Sequence, residues 1–314
     1  MPTPTSSFNA KQNQSPGSAG QTNLSDAISR LAKALTNALS ATSTVTPVLE
    51  TMCAQGTTIG GSLTEFRDII AQIPQEYHSR IGICIDTCHS FAAGYDLATP
   101  TGFQAFMKEF EEVIGTRYLR ALHLNDSKTP RGSRRDLHAN IGTGFLGLRG
   151  FHNIMNEPRF QDLPMILETP IDKPASSVTA GANSNTNNAH EDGCASEMDS
   201  DSGPEPDSKK KTKKQPKRPT AKTKQPTVAD PSVWAQEIEL LESLIGMDPE
   251  GPEFRSLEAR LAEEGKEMRE KHQEQFDRRV EAEEKKKNKA SAAGTGAGKK
   301  GQKSLMDMMK SKEK

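Results

Sequence analysis

Ile81-Gly82-Ile83-Cys84-Ile85-Asp86-Thr87-Cys88-His89 opens on an almost unbroken apolar run and closes on an acid and an imidazole. An apolar run without alternation reads as a strand buried on both faces, as in parallel sheets covered by helices. Asp86 and His89 then stand just past the strand's C-terminal end, where β/α folds gather their active residues. Four further segments end in the same chemistry: Val48-Leu49-Glu50, Leu122-His123-Leu124-Asn125-Asp126, Asp136-Leu137-His138 and Ile166-Leu167-Glu168.

The intervening chain alternates helix with strand. The spacing predicts helices over 25–41 (Ile28, Leu31, Leu35 and Leu39 on one face), 62–73, 101–114 and 148–156. Strands are expected over 44–50, 80–86, 119–125 and 165–168. Strands alternating with helices imply parallel β/α units. Glu50, Asp86, His123 and Glu168 close four successive strands.

Glu50, Asp86, His89, His123, Asp136, His138 and Glu168 are more ligands than one metal ion needs, since a zinc site takes three or four. Carboxylates with imidazoles suit zinc, with manganese or iron at oxygen-richer positions. Two ions about 3.5–4 Å apart can clamp the attacking and leaving oxygens of a phosphodiester. A single strand-end Asp or His is commonly a helix cap. Seven in register at one face point to a multinuclear hydrolytic site. His78, His152, His190 and His272 fit no such pattern and read as surface or structural.

The segments Cys84-Ile85-Asp86-Thr87-Cys88-His89-Ser90-Phe91-Ala92-Ala93-Gly94-Tyr95-Asp96-Leu97, His123-Leu124-Asn125-Asp126-Ser127-Lys128 and Ile166-Leu167-Glu168-Thr169-Pro170 resemble the signatures of the endonuclease IV family of apurinic/apyrimidinic endonucleases. The likeness covers about residues 25–173 and resumes at 231–246. It implies a TIM-type barrel with up to three zinc ions, and double-stranded DNA with abasic sites as substrate. It also implies cleavage 5′ to the abasic site, leaving a 3′-hydroxyl, and removal of blocking groups from 3′ ends. Carried over, Glu50 resembles the carboxylate bridging a first and a second zinc. Asp86, His123 and Glu168 resemble the other ligands of the second, and His89, Asp136 and His138 those of the third. Glu50 and Glu168 are the candidate catalytic carboxylates. Two positions depart from the family pattern. Glu50-Thr51-Met52-Cys53-Ala54 stands where the family reads Glu-Asn-x-Ala-Gly, and Asp136-Leu137-His138 loses the arginine of Asp-Arg-His.

Only four strands are read before the pattern ends, whereas a (β/α)8 barrel closes with eight. The fold expected is α/β, a partial TIM-type (β/α)8 barrel comprising its C-terminal half, with long disordered tails. The histidines that would complete the first zinc site belong to strands not found here. An N-terminally truncated chain with impaired zinc binding and activity is therefore expected, ahead of a half-barrel awaiting a partner. Two other readings are a TIM-barrel sugar isomerase and a non-catalytic remnant that binds DNA or a partner. Isomerase sites hold one or two ions, which the seven ligands disfavour.

Composition bounds the rest. The 314 residues are 33% apolar and 5% aromatic, with a mean hydropathy of -0.71 and a formal net charge of -1. A packed chain is nearer 45–50% apolar, so disorder is expected over 1–24 and 174–230. No apolar run reaches the roughly 18 residues that span a bilayer, so no membrane role is expected. Cys53, Cys84, Cys88 and Cys194 form no C-x-x-C pair and read as reduced thiols of an intracellular protein.

Residues 25–173 form the expected barrel half. An amphipathic helix over 231–247 carries Trp234, Ile238, Leu241 and Ile245 at helical spacing and is expected to close it; a charged helical and disordered tail fills 248–314. Within the linker, 209–218 is a lysine run that reads as a signal for a nuclear import receptor or as a DNA tether, and the acidic 196–202 could be phosphorylated to offset it. The expected location is the nucleus, with the mitochondrion as a second site. Residues 302–309 have a weak likeness to a sliding-clamp-binding peptide, with Met308 and Met309 in place of its aromatics.

Overall fold

The computed structural model describes residues 13–174 and 227–296. His190, Cys194, the acidic stretch 196–202, the basic run 209–218 and the segment 302–309 lie outside them. Chain contacts divide the molecule into two units, Met1–Pro170 with Ser232–Lys314, and Ile171–Pro231.

The first unit is built on a five-stranded parallel sheet. Its first four strands lie side by side in chain order: β1 (Asn13–Gln14), β2 (Val48–Glu50), β3 (Gly82–Asp86) and β4 (Leu119–His123). A two-stranded antiparallel ribbon, β5 (Asp126–Ser127) with β6 (His138–Ala139), follows β4 outside the sheet. The fifth strand of the sheet is β7 (Met165–Ile166), which pairs with β4. The helices between strands are α1 (Leu24–Ala41), α2 (Leu63–Ala71), α3 (Thr87–Ala93), α4 (Pro100–Val113) and α5 (Gly147–Met155). These are parallel β/α units of the TIM-barrel type.

Local chemistry sets the boundaries. The Asn23 side chain caps α1 by accepting from the Asp26 N–H at 2.8 Å, and Thr99 caps α4 at the Gly102 N–H, with Pro100 in the first turn. The apolar faces are Ile28, Leu35 and Leu39 on α1, Phe66 and Ile69 on α2, and Phe103, Phe106 and Phe110 on α4; all are buried in one core with Ile83, Ile85 and Leu122 of the sheet. All four expected strands are shorter than read, β2 by four residues and the other three by two. β2 begins after Pro47, which has no N–H to donate to a ladder. β7 stops at Ile166 because the Glu168 N–H turns away to the Asn125 side-chain oxygen, 3.0 Å.

Three expectations are corrected. The stretch 13–23, read from composition as disordered, carries β1, paired with Val48 and Leu49, and a Ser18–Thr57 contact. Helix α6 (Ser232–Ser243) forms, but Ile238 and Ile245 are 49% and 59% exposed while Glu237, Leu241 and Leu244 are buried. The helix is rotated because backbone and side-chain donors beneath it take the Glu237 carboxylate. The chain after Pro252 is two helices, α7 (Pro252–Glu264) and α8 (Lys266–Gly296), and α7 belongs to the core through Phe254 and Leu261. The two part at Gly265, where a Cβ would collide with the Thr143 carbonyl.

In the second unit, β8 (Asp172–Pro174) pairs antiparallel with β9 (Thr227–Ala229). No helix among the described residues is long and apolar enough to cross a membrane.

Candidate metal centre

Sheet register brings the strand-end residues together. Asp86 pairs with His123, so the ends of β3 and β4 are level, and Glu50 pairs with Cys84, two residues short of Asp86 and so on the same face of the sheet. The β5–β6 ribbon sets His138 opposite Ser127, which folds the Asp136–His138 segment back over the end of β4. All seven predicted residues meet there in two groups, Glu50, Asp86, His123 and Glu168 in one, His89, Asp136 and His138 in the other, with ligand atoms in each within 4.8 Å of one another.

In the first group His123 Nδ1 lies 3.0 Å from Glu50 Oε1, 3.5 Å from Asp86 Oδ2 and 3.2 Å from Glu168 Oε2. In the second, His89 Nε2 and His138 Nε2 each stand 3.1 Å from a different oxygen of Asp136. Neither nitrogen makes a hydrogen bond there, although both are buried. Their other ring nitrogens do: His89 Nδ1 lies 2.9 Å from the Thr51 carbonyl and His138 Nδ1 3.2 Å from that of Glu168. With Nδ1 turned to a backbone carbonyl, Nε2 is the ring nitrogen that faces Asp136 and can bind a cation once its proton is displaced, as metal-binding histidines require.

The donor set fits zinc. With zinc–nitrogen and zinc–oxygen bonds near 2.1 Å, tetrahedral ligand atoms sit about 3.4 Å apart. The closest pairs above span 3.0–3.5 Å. Cys88 also lies near Asp86 and His138, but its thiol donates to the Leu137 carbonyl and burial pushes its pKa well up, so it stays neutral.

Without a cation the carboxylates hold protons on the histidines. Burial works against charge throughout, yet His123 and His89 hold Glu50 down to about 2. Burial is likewise overcome at His89, which Asp86, Asp136 and Glu50 push up to about 12, and at His123 and His138, which are raised. Asp136 is lowered by His138 and His89 against its own burial.

Asp86 and residues beside the predicted ligands hold this arrangement. Asp86 caps α3 through the His89 N–H at 2.7 Å, so one carboxylate ends a strand, starts a helix and faces the site. Thr51 Oγ1 accepts from the Asp86 N–H at 2.9 Å and lies 3.0 Å from Ser90 Oγ, giving the departure Glu50-Thr51 a structural role. Ala54, where the family pattern has glycine, adopts a φ of 58°, a left-handed conformation that costs an alanine about 1 kcal/mol. Asn125 Nδ2 donates to Asp86 Oδ2 at 2.7 Å and Glu168 Oε2 at 3.3 Å, orienting both. Its place beside His123 in a strand-end motif was the available signal.

Asp126, fully buried, takes the N–H groups of Ser127, Gly144, Leu146 and Gly147 and serves α5 as a cap from across the fold. Burial pushes its carboxyl up to about 6, against those N–H groups. Asp126→Asn would aim an amide donor at backbone donors. We expect it to destabilise the fold by about 2–3 kcal/mol in urea unfolding; an unchanged midpoint would count against the arrangement.

A family model described as a xylose isomerase-like TIM barrel matches residues 5–193. Apurinic-apyrimidinic endonuclease 1 of Saccharomyces cerevisiae is 48% identical over 143 residues, 46% of this chain and 38% of that protein. The protein of the same name from Schizosaccharomyces pombe is 43% identical over 51% of this chain and 46% of its own length. A probable endonuclease 4 of Chlorobium phaeovibrioides is 46% identical over 45% of this chain and 50% of its own length. The solved endonuclease IV of Thermus thermophilus is 30% identical, covering 49% of this chain and 53% of that one, at a TM-score of 0.41. The chain thus spans half or less of the length of these curated relatives.

Proposed function

Because this chain belongs to the endonuclease IV family of xylose isomerase-like TIM barrels, we propose that it is a zinc-dependent DNA-repair hydrolase that cleaves the phosphodiester 5′ to abasic sites in double-stranded DNA. By the same chemistry it clears blocked 3′ ends. The observation that carries this reading is the pair of buried, hydrogen-bond-free Nε2 atoms of His89 and His138 converging on Asp136, beside the group formed by Glu50, Asp86, His123 and Glu168.

Bound zinc would supply a Lewis acid for phosphoryl oxygens and lower the pKa of an attacking water. The protein's own part is orientation. Glu50 Oε1 stands within 3.2 Å of both His123 and His89, between the two groups. The side chains of Glu168 and Asp136 are 42% and 43% exposed, so a phosphate reaches the centre from their side, where Glu168 is placed to take a proton. With the group containing Cys88 set aside, because its thiol donates to the Leu137 carbonyl, the described residues offer two ligand groups, from which we infer two ions per chain and slow incision. Nuclear import through 209–218 and a sliding-clamp contact at 302–309 belong to the same proposal.

The test is metal counting by mass spectrometry alongside incision of a duplex with one abasic site. Two zincs per chain and a product ending in a 3′-hydroxyl, lost on chelation and restored by zinc, are expected. A zinc-loaded chain that leaves the abasic strand intact refutes the reading.

A further inference from the structure

Glu237 is a buried acid, 6% exposed, on a helix whose neighbouring Gln236 and Ile238 face solvent. Oε1 accepts from Asn140 Nδ2 at 3.1 Å and from the Ile141 N–H at 2.8 Å, while Oε2 accepts from the Thr169 hydroxyl. All three partners are neutral. A buried carboxylate without a cationic partner is a poor source of stability, so the placement calls for another reason. Asn140 lies two residues past His138, and Thr169 directly follows Glu168. Those two segments touch where His138 Nδ1 meets the Glu168 carbonyl. A second tie from the same helix runs from Trp234 Nε1 to the Thr169 carbonyl, 3.1 Å.

We propose that Glu237 is a positioning residue of the metal centre: its two oxygens clasp the His138 and Glu168 segments together and hold His138 Nε2 toward Asp136. The proposal rests on the reading of these groups as zinc ligands. It makes the centre depend on a helix that comes in the chain only after the Ile171–Pro231 unit.

The test uses the metal-free full chain with nitrogen-labelled histidine. In the wild type the His138 Nδ1–H signal is expected to be present and slow to exchange. In Glu237→Ala it should disappear. Glu237→Gln should restore it, since the amide oxygen can serve Asn140 and Ile141 while its NH2 donates to the Thr169 hydroxyl. Leu241→Ala, a cavity on the same helix away from the clasp, should leave it in place. In the same series zinc affinity should fall ~10–100-fold in Glu237→Ala alone. A Glu237→Ala chain that keeps the wild-type histidine signal overturns the proposal, as does an equal loss in Leu241→Ala. Should Glu237→Ala fail to fold, Thr169→Val removes one hydroxyl of the clasp and is expected to broaden the signal; an unchanged signal there overturns the proposal too. The histidine signal decides the role of Glu237 whether or not the wild type takes up zinc, and zinc uptake by the wild type decides the functional reading separately.

Discussion

Alanine in place of Asp86 is expected to empty the group formed with Glu50, His123 and Glu168, dropping the chain from two zincs to at most one. Asp86 is fully buried, accepts from Asn125 and lies 3.5 Å from His123 Nδ1. Loss of a partner behind a ligand costs about 10–100-fold in metal affinity, and loss of the ligand itself should cost more. The same carboxylate caps α3, whose first turn carries His89, so the second group loosens as well, and incision should fall below detection. Loss of the cap alone costs about 1 kcal/mol, which leaves the fold standing and lets circular dichroism separate metal loss from unfolding. An Asp86→Ala chain that still holds two zincs would falsify the assignment.

The second large effect is on stability. A ligand at a thousand times its dissociation constant stabilises the folded state by about 4 kcal/mol. Chelation should therefore lower the thermal midpoint by about 10 °C in a chain of this size. The sign of the pH dependence follows from the same groups. His89, raised from its ordinary 6.5 to about 12, contributes stability to the metal-free fold that is complete below 6.5 and lost as pH rises through 12. Glu50, lowered from 4.5 to about 2, contributes stability present above 4.5 and lost as pH falls through 2. Around neutral pH protons thus stand in for the metal, and zinc must displace them. The gap between zinc-loaded and chelated midpoints should widen from pH 6 to pH 8 in calorimetry; a gap that narrows would show that the histidines are not the groups displaced.

The sheet and its strand-end acids were legible because continuous apolar runs such as Ile83-Cys84-Ile85 have few other uses, and because ligand types recur at one point of each β/α unit. What stayed hidden was long-range. Glu237 looks like a solvent-facing residue of an amphipathic helix; only the donors of Asn140, Ile141 and Thr169, far off in sequence, make its burial tolerable and turn Ile238 outward. Asp126 has no local pattern, since its partners around Gly144–Gly147 lie on the next loop. Phe254 and Leu261 are two apolar positions among charges, too sparse to announce a core helix, and they gain meaning from α5, where Arg149 pairs with Glu250 and Glu258 and His152 packs edge-on against Phe254. Asn13–Gln14 carries no apolar signal at all, yet it pairs with Val48 and Leu49 in the sheet.

The antiparallel pairing of Asp172–Pro174 with Thr227–Ala229 bears on how the chain tolerates a change of length. Paired strands hold the two ends of the intervening chain together, and each doubling of its length adds only about 0.6 kcal/mol to the entropy of closing it. The pairing therefore tolerates a change in the number of residues between its strands far better than a change in the strands themselves.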